Sequence, residues 1–520
     1  MAKTGGEMKK TLSLTGVTVN AMALIAPGAF LWTTFQVQSS QSNGGNTTAF
    51  EMWTGLAAAL ILAFLTAVSY SELANRYPEA GAGSSYYFAE AAFLDKARRA
   101  HYQWARLAKF IFGWISHLYY WIYPGIMVAF SATLVVYVLG LFNVNLSVPE
   151  QIIIAAAFAG LNGYIAFRGI SGSTMAAVVI NVIQLVSLVA FAVLAIVFRL
   201  THPAVAYEQT NAFSIVVPHS LSSVIFQSTI AILLLVGFES VTALGAEAKN
   251  PKRDIRRAVL LSLTIQGLFA YLFEYFAANF FIGNQLTGTV TDAAGKATKV
   301  TGYAAAAVSS APIGDMMKVI GDTMLGGTGF TLTVILAGTV ILALIGTTLA
   351  CLNTAVRITY VMGRDKEMPN ILGLLHGRFA TPHWGVLVLA VVSAGFGAYG
   401  VLNVDNLTQI TLASNTGTFL VYGLTNLIAL IAFAGTRDSS FLKHKLIPGL
   451  GFLANLAALG GVIYLSITAG GATQTDTVIA LGMVVVWALI GVVWFTVNTR
   501  RQGRAILVEK EQPIRITTAV

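Results

Sequence analysis

Two carboxylates stand where a carboxylate is costly. Glu239 lies inside the apolar run 221–246 and Glu274 inside 256–283. An ionisable group within a membrane-length apolar run costs several kcal/mol unless it is paired, so each is a functional candidate by default. Glu239 sits in Gly237-Phe238-Glu239-Ser240, and Glu274 lies between Tyr271 and Tyr275. Such a group can attract a cationic amine or carry a proton. The bland alternatives are a carboxylate tying an interrupted helix for Glu239 and a snorkelling or hydrogen-bonded one for Glu274. Other chemistry is sparse. The histidines, His117 among them, show no metal-ligand spacing with one another or with Cys351, the single cysteine. His117 reads as a hydrogen-bonded packing residue. No glycine-rich phosphate loop with Lys-Ser/Thr is present, which argues against ATP as the driving force. No nucleophile–base or metal constellation argues for an enzyme.

The elements that must position these residues follow from composition. Of 520 residues 56% are apolar and 10% charged, and the mean hydropathy is +0.73. Soluble domains carry about a quarter charged residues, so this is an all-α integral membrane protein. About twelve runs are long enough to span by the usual criterion of about 20 apolar residues. They are 13–38, 50–73, 106–140, 150–167, 173–198, 221–246, 256–283, 328–357, 384–402, 405–434, 447–468 and 475–498.

The net charge of +9 is not a nucleic-acid surface, because its basic residues gather in alternate loops. Lys3, Lys9 and Lys10, then Arg76 to Lys109, Lys249 to Arg257, and Arg500 to Arg504 fall on one side. The positive-inside rule makes that side cytoplasmic and predicts both termini there, in a cell membrane, the inner membrane of a bacterium. The first apolar run is too long for a signal peptide and reads as the first span. Segment 288–302 reads as a flexible loop, and 313–324 as a short helix over the outer vestibule.

Two spans are interrupted. Ile25-Ala26-Pro27-Gly28-Ala29 places Pro and Gly in mid-run of the first, and Gly237 with Glu239 interrupts the sixth. Each alone is compatible with a simple kink. Together, five spans apart and so in opposite orientation, they point to a transporter's midplane site built from half-helix ends.

Several motifs occur in the order of one family. They are Leu24 to Leu31, Tyr70-Ser71-Glu72-Leu73-Ala74 with Pro78-Glu79-Ala80-Gly81, Gly237-Phe238-Glu239 with Glu247 to Arg253, and Gly363 to Pro369. On these the chain resembles the amino acid–polyamine–organocation (APC) permeases over about residues 11–435. The resemblance implies a LeuT-type fold: a five-plus-five inverted repeat with broken helices 1 and 6, plus two C-terminal helices. Its divisions would be a cytoplasmic N-terminus 1–10, a first repeat 11–199, a second repeat 220–435, two further spans in 436–498 and a cytoplasmic tail 499–520.

It further implies a secondary transporter importing an amino acid or related small amine by alternating access. A substrate exchanger, a polyamine permease, and a non-transporting nutrient sensor remain alternatives. Substrate residues would be Ile25, Ala26, Pro27, Gly28, Ala29, Gly237, Phe238, Glu239 and Ser240. Tyr120 and Tyr123 are candidate aromatic walls, though such rings are often simple packing. Pro27 stands where the family has a serine, which removes one amide and one hydroxyl and weakens carboxylate capture. Some proton-coupled relatives carry a lysine in the fifth span; aligned through Asn181-Val182-Ile183, this chain has Gln184. Gly346-Thr347-Thr348 resembles the paired hydroxyls of a sodium site, whose carbonyls would be Met22, Ile25 and Leu344. The alternative is hydroxyls bonded back to their own helix. Sodium is thus favoured over a proton as coupling ion, with exchange left open. No other cofactor is expected; the partners would be substrate, cation and membrane lipid, with no nucleic acid.

Overall fold

The computed structural model describes residues 12–25, 31–78, 84–95, 103–169, 174–245, 248–291 and 295–506. The long apolar runs fold as helices because a helix closes its own backbone hydrogen bonds where no water is available. The first run forms two helices, α1 (Leu14–Ile25) and α2 (Leu31–Ser39). Twelve residues rise only about 18 Å, so α1 alone is too short to cross. The expected interruption at Ala26, Pro27, Gly28 and Ala29 lies outside the described residues.

Then come α3 (Met52–Arg76), α4 (Ser85–Leu94), α5 (Ala105–Leu141), α6 (Val148–Phe167), α7 (Thr174–Thr201) and the short α8 (Ala212–Val216). The sixth run begins as α9 (Leu221–Ala231), and the seventh as α10 (Pro251–Leu263), continuing through a π-helical stretch at 264–271 into α11 (Leu272–Phe281). After α12 (Gly302–Val308) and α13 (Pro312–Met324) come the spans α14 (Gly329–Arg364), α15 (His383–Gly400), α16 (Val404–Phe433), α17 (Ile447–Thr468) and α18 (Gly471–Arg501). Among the described residues eleven helical segments are long and apolar enough to cross a membrane. This is a multi-pass helical membrane protein.

Local signals set several starts. Ser147 and Glu150 form a reciprocal capping box at α6. The Asn403 side chain accepts from the Asn406 amide at the start of α16. Proline opens α10 and α13 at a position whose N–H has no helical partner.

The segment read as a flexible loop contains a hairpin. Strand β3 (Thr287–Thr291) pairs antiparallel with β4 (Ala297–Thr301), after the two-residue strands β1 (Ser42–Asn43) and β2 (Asn46–Thr47) pair earlier in the chain. Thr-Gly-Thr-Val-Thr and Ala-Thr-Lys-Val-Thr are rich in β-branched residues, and reading their composition as loop-like overlooked that preference. The helix expected at 313–324 is α13. Helix α4 was not expected.

Helix α5 is central, packing on α14, α15, α16, α4 and α6. The last helix is fixed to it by a reciprocal pair. The Trp114 indole donates to the Trp487 carbonyl and the Trp487 indole to the Trp114 carbonyl, both at 2.9 Å, with the rings stacked 4.8 Å apart.

Candidate functional site

The sixth span is interrupted at Gly237. Helix α9 tightens into a 3-10 turn at Ile232–Leu234, and the chain resumes as a 3-10 segment over Phe238–Leu244. Between them Gly237 has φ +132°, a region that L side chains rarely adopt. A Cβ there would lie 2.5 Å from Leu24 Cδ2 and 3.2 Å from Ile25 Cγ1. The break therefore sits directly against the last turn of α1.

Backbone groups freed by the break are taken up by side chains. Tyr123 donates to the Leu233 carbonyl at 3.2 Å, and Ser240 to the Gly237 carbonyl at 2.6 Å. The Gly237 amide donates to Glu239 Oε2 at 2.9 Å. From the facing helix α16, Asn415 Nδ2 donates to the Thr229 and Ile230 carbonyls at 2.7 and 3.3 Å. In hydrocarbon, irregular backbone persists only when satisfied in this way.

Glu239 is the centre of a buried hydrogen-bonded cluster. Tyr120 of α5 donates to its Oε1 at 3.0 Å, and Tyr422 of α16 to its Oε2 at 2.8 Å. The carboxylate therefore accepts two hydroxyls and one amide. Among the described residues no Lys, Arg or His forms an ion pair with it. Aromatic rings surround it. Phe238 lies 5.3 Å from Tyr422 and 6.0 Å from Tyr70, and Tyr119 lies against Tyr120 at 4.1 Å. The core of this cluster is shut from solvent, with Phe238, Tyr422, Glu239 and Tyr120 at 0%, 0%, 1% and 3% exposure.

Tyr120, Phe238, Glu239 and Gly237 thus meet as one cluster beside Ile25. Tyr123 and Ser240 tie the interrupted backbone instead. Tyr422, Tyr70 and Tyr119 were not among the sequence candidates. The signal available for Tyr422 was its span, where Thr411, Ser414, Asn415, Thr418, Thr425 and Asn426 are all buried within an apolar helix. A run that keeps so many polar groups inside a bundle is facing something polar.

Glu274 makes none of these contacts. It is 1% exposed in α11, and among the described residues neither carboxyl oxygen has a hydrogen-bond partner. Gln184 is likewise buried, with both amide atoms unpartnered among the described residues.

At the proposed ion position, Thr347 Oγ1 lies 2.9 Å from the Ala23 carbonyl and 3.0 Å from that of Ala343. Thr348 donates to the Leu344 carbonyl at 2.7 Å. Both hydroxyls are thus within bonding distance of their own helix, and Thr347 also reaches the end of α1. The Met22 carbonyl accepts from Gln266 Nε2 at 2.7 Å and the Ile25 carbonyl from the Tyr271 hydroxyl at 3.0 Å. Among the described residues no group of three or more His, Cys, Asp or Glu could hold a metal. His117 packs between the Gly113 carbonyl at 2.6 Å and Thr359 Oγ1 at 3.0 Å.

A bundle of long apolar helices thus encloses a buried carboxylate at an interrupted span of a polytopic membrane protein. The chain belongs to the amino acid permease family, which it matches over residues 16–508, and so to the APC superfamily. It is 25% identical over 501 residues to the low-affinity putrescine importer PlaP of Escherichia coli (strain K12), covering 95% of this chain and 94% of that one. It is 25% identical to the branched-chain amino acid permease BcaP of Lactococcus lactis, over 66% of this chain and 65% of the relative. A methylthioribose transporter of Bacillus subtilis is 23% identical, over 73% and 74%. The family and these relatives are transporters and not enzymes, and this chain is a transporter of a small molecule.

Proposed function

We propose that the protein is a secondary permease that moves an amino acid or related small amine across the cell membrane by alternating access. One observation carries this reading: Glu239 is buried at the break of the sixth span and, among the described residues, is held by neutral donors alone. A buried carboxylate without a counter-ion favours a cationic group or a proton brought from outside. The amine of a substrate fits, and the rings of Phe238, Tyr120 and Tyr422 suit an ammonium group. The putrescine importer among the relatives agrees with an amine, and the branched-chain permease with an amino acid.

Transport would proceed as the five-plus-five repeat implies. The broken spans rock against the remainder and open one central site to each side in turn.

Sodium is the proposed coupling ion, held by Thr347, Thr348 and the carbonyls of Met22, Ile25 and Leu344. The contact of Thr347 with Ala23 supports it, since it brings α14 to the end of α1. The Met22 and Ile25 carbonyls each accept one side-chain hydrogen bond from the described residues, which leaves a second lone pair, whereas the Leu344 carbonyl already accepts the Thr348 hydroxyl within its own helix and would have to release it to bind the ion. Both termini lie in the cytoplasm under this reading.

The test is uptake into proteoliposomes of labelled branched-chain amino acids and putrescine, under a sodium or a proton gradient. Concentrative uptake of one class driven by sodium, and lost in Glu239→Gln, supports the proposal. Uptake indifferent to Glu239→Gln removes the carboxylate from the mechanism. Accumulation driven only by protons moves coupling to Glu239 and Glu274. Binding without uptake or counterflow identifies a sensor.

A further inference from the structure

We infer that the groove between α6 and α15 is a binding site for an anionic phospholipid. Its walls are apolar, with Tyr164 and Phe167 on one helix and Trp384 and Leu387 on the other, enclosing about 370 Å³. The helices touch closely beside it, where a Cβ on Gly163 would lie 2.8 Å from Ala390 Cβ. At Gly160, which also lines the groove, an added Cβ meets nothing within 4 Å. The two glycines do different things: Gly163 lets the helices approach and Gly160 leaves space. Trp384 and Leu387 are 39% and 53% exposed, so the groove opens on the outside of the bundle, where hydrocarbon chains surround a spanning helix.

One end of the groove is basic. Arg168 follows the last residue of α6, and its guanidinium lies 5.8 Å from the Tyr164 ring and 5.3 Å from that of Phe379. The Arg378 guanidinium lies 5.4 Å from the same Phe379 ring. Two like charges thus lie close to one aromatic ring, and among the described residues neither forms an ion pair. The sequence offers no local acid, since no Asp or Glu occurs between Glu150 and Glu208 or between Glu367 and Asp405. Helix α15 begins at His383 beside them, so its unpaired first-turn amides add positive potential. His383 lines the groove, and its Nδ1 is buried without a partner among the described residues.

An apolar slot with unneutralised arginines at its end matches the two parts of one molecule. An acyl chain fills the slot, and a phosphate headgroup meets the guanidiniums at the membrane surface. A free phosphate would leave the slot empty, and a neutral lipid would leave the arginines unmatched.

The test is native mass spectrometry of the purified full chain with phosphatidylglycerol or phosphatidylcholine carrying the same acyl chains. The wild type should retain phosphatidylglycerol about 30-fold more strongly, the weight two basic groups carry at an anionic surface. Arg168→Gln with Arg378→Gln should erase that preference, and Arg168→Lys with Arg378→Lys should keep most of it. Gly160→Leu should lower retention of both lipids. Equal retention of the two lipids by the wild type overturns the proposal, as does a preference surviving in the double glutamine variant. It is also overturned if inorganic phosphate displaces the lipid, or if Gly160→Leu dissolves a dimer and leaves lipid retention unchanged.

Discussion

Tyr422 and Glu239 lie 183 residues apart in sequence, and their hydrogen bond at 2.8 Å joins α16 to the resumed half of the sixth span. Tyr120 makes the matching bond from α5 at 3.0 Å. The carboxylate is thus gripped from two helices outside its own span, and any movement of the sixth span against them must exchange these bonds. Tyr422→Phe should cost about 1.5–3 kcal/mol, the range for a hydrogen bond to a charged group. It should also slow uptake at least about tenfold. Denaturant titration and initial uptake rates per mole of protein read the two effects; unchanged values of both would show the bond to be incidental.

Gly237→Ala tests the geometry of the break. The added methyl enters at 2.5 Å from Leu24 Cδ2 on a backbone with φ +132°. The strained conformation alone costs about 1–3 kcal/mol. The variant should melt lower and transport poorly, whereas Gly338→Ala on α14, where an added Cβ meets nothing within 4 Å among the described residues, should behave as wild type. Equal melting of the two would mean that the sixth span relaxes freely at Gly237.

Glu274 offers a stability–function contrast. Its oxygens are buried and unpartnered among the described residues, so Glu274→Leu removes two unsatisfied polar atoms and should stabilise by about 1–3 kcal/mol. If the carboxyl carries a proton or attracts the amine, the same variant should transport at a small fraction of the wild-type rate. A stabilised variant with normal uptake would assign Glu274 no part in transport.

Thr347 and Thr348 are separable from other hydroxyls of α14. Thr354 bonds back to Ala350 at 2.9 Å in the same helix and serves as a control. Sodium should raise the melting temperature of the wild type and of Thr354→Val. It should have no such effect on Thr347→Val or Thr348→Val. A sodium response retained in both would remove the site.

Lys109 secures one end of the bundle. Its ammonium lies 2.5 Å from Asp365 and 2.8 Å from Glu90, with the Tyr86 and Tyr87 rings each 4.8 Å away. Lys109→Met leaves Glu90 and Asp365 without their shared cation, Asp365 keeping only the Tyr86 hydroxyl at 2.9 Å among the described residues, and breaking a buried pair costs about 3–5 kcal/mol. Since Glu90 is half-open to solvent, a loss near the low end is expected in denaturant titration. A loss below about 0.5 kcal/mol would place the cluster with ordinary surface pairs.

Most of the spans are legible in the sequence because an apolar run of membrane length has few alternatives. The sixth-span break is legible too, since Gly237 and Glu239 each violate the pattern of a simple anchor helix. Tyr422 is not: a tyrosine in an apolar run looks the same whether its hydroxyl meets a carboxylate or a packing void. Thr347 and Thr348 show the opposite difficulty. A helical hydroxyl can always reach a carbonyl one turn back, so residue type alone does not say whether it serves its own helix or a ligand. The β3–β4 hairpin was hidden by reading Thr, Gly and Ala as loop composition. Helix α4 is a short apolar segment between two long spans, where span counting has no resolution.

The stacked indoles of Trp114 and Trp487 also make the protein its own optical probe. Two aromatic transition dipoles 4.8 Å apart and held by reciprocal hydrogen bonds couple strongly. Their near-ultraviolet circular dichroism depends on α18 staying docked on α5. The signal should therefore hold steady while substrate cycles if the last helix travels with α5, and collapse if it swings free, with no label attached.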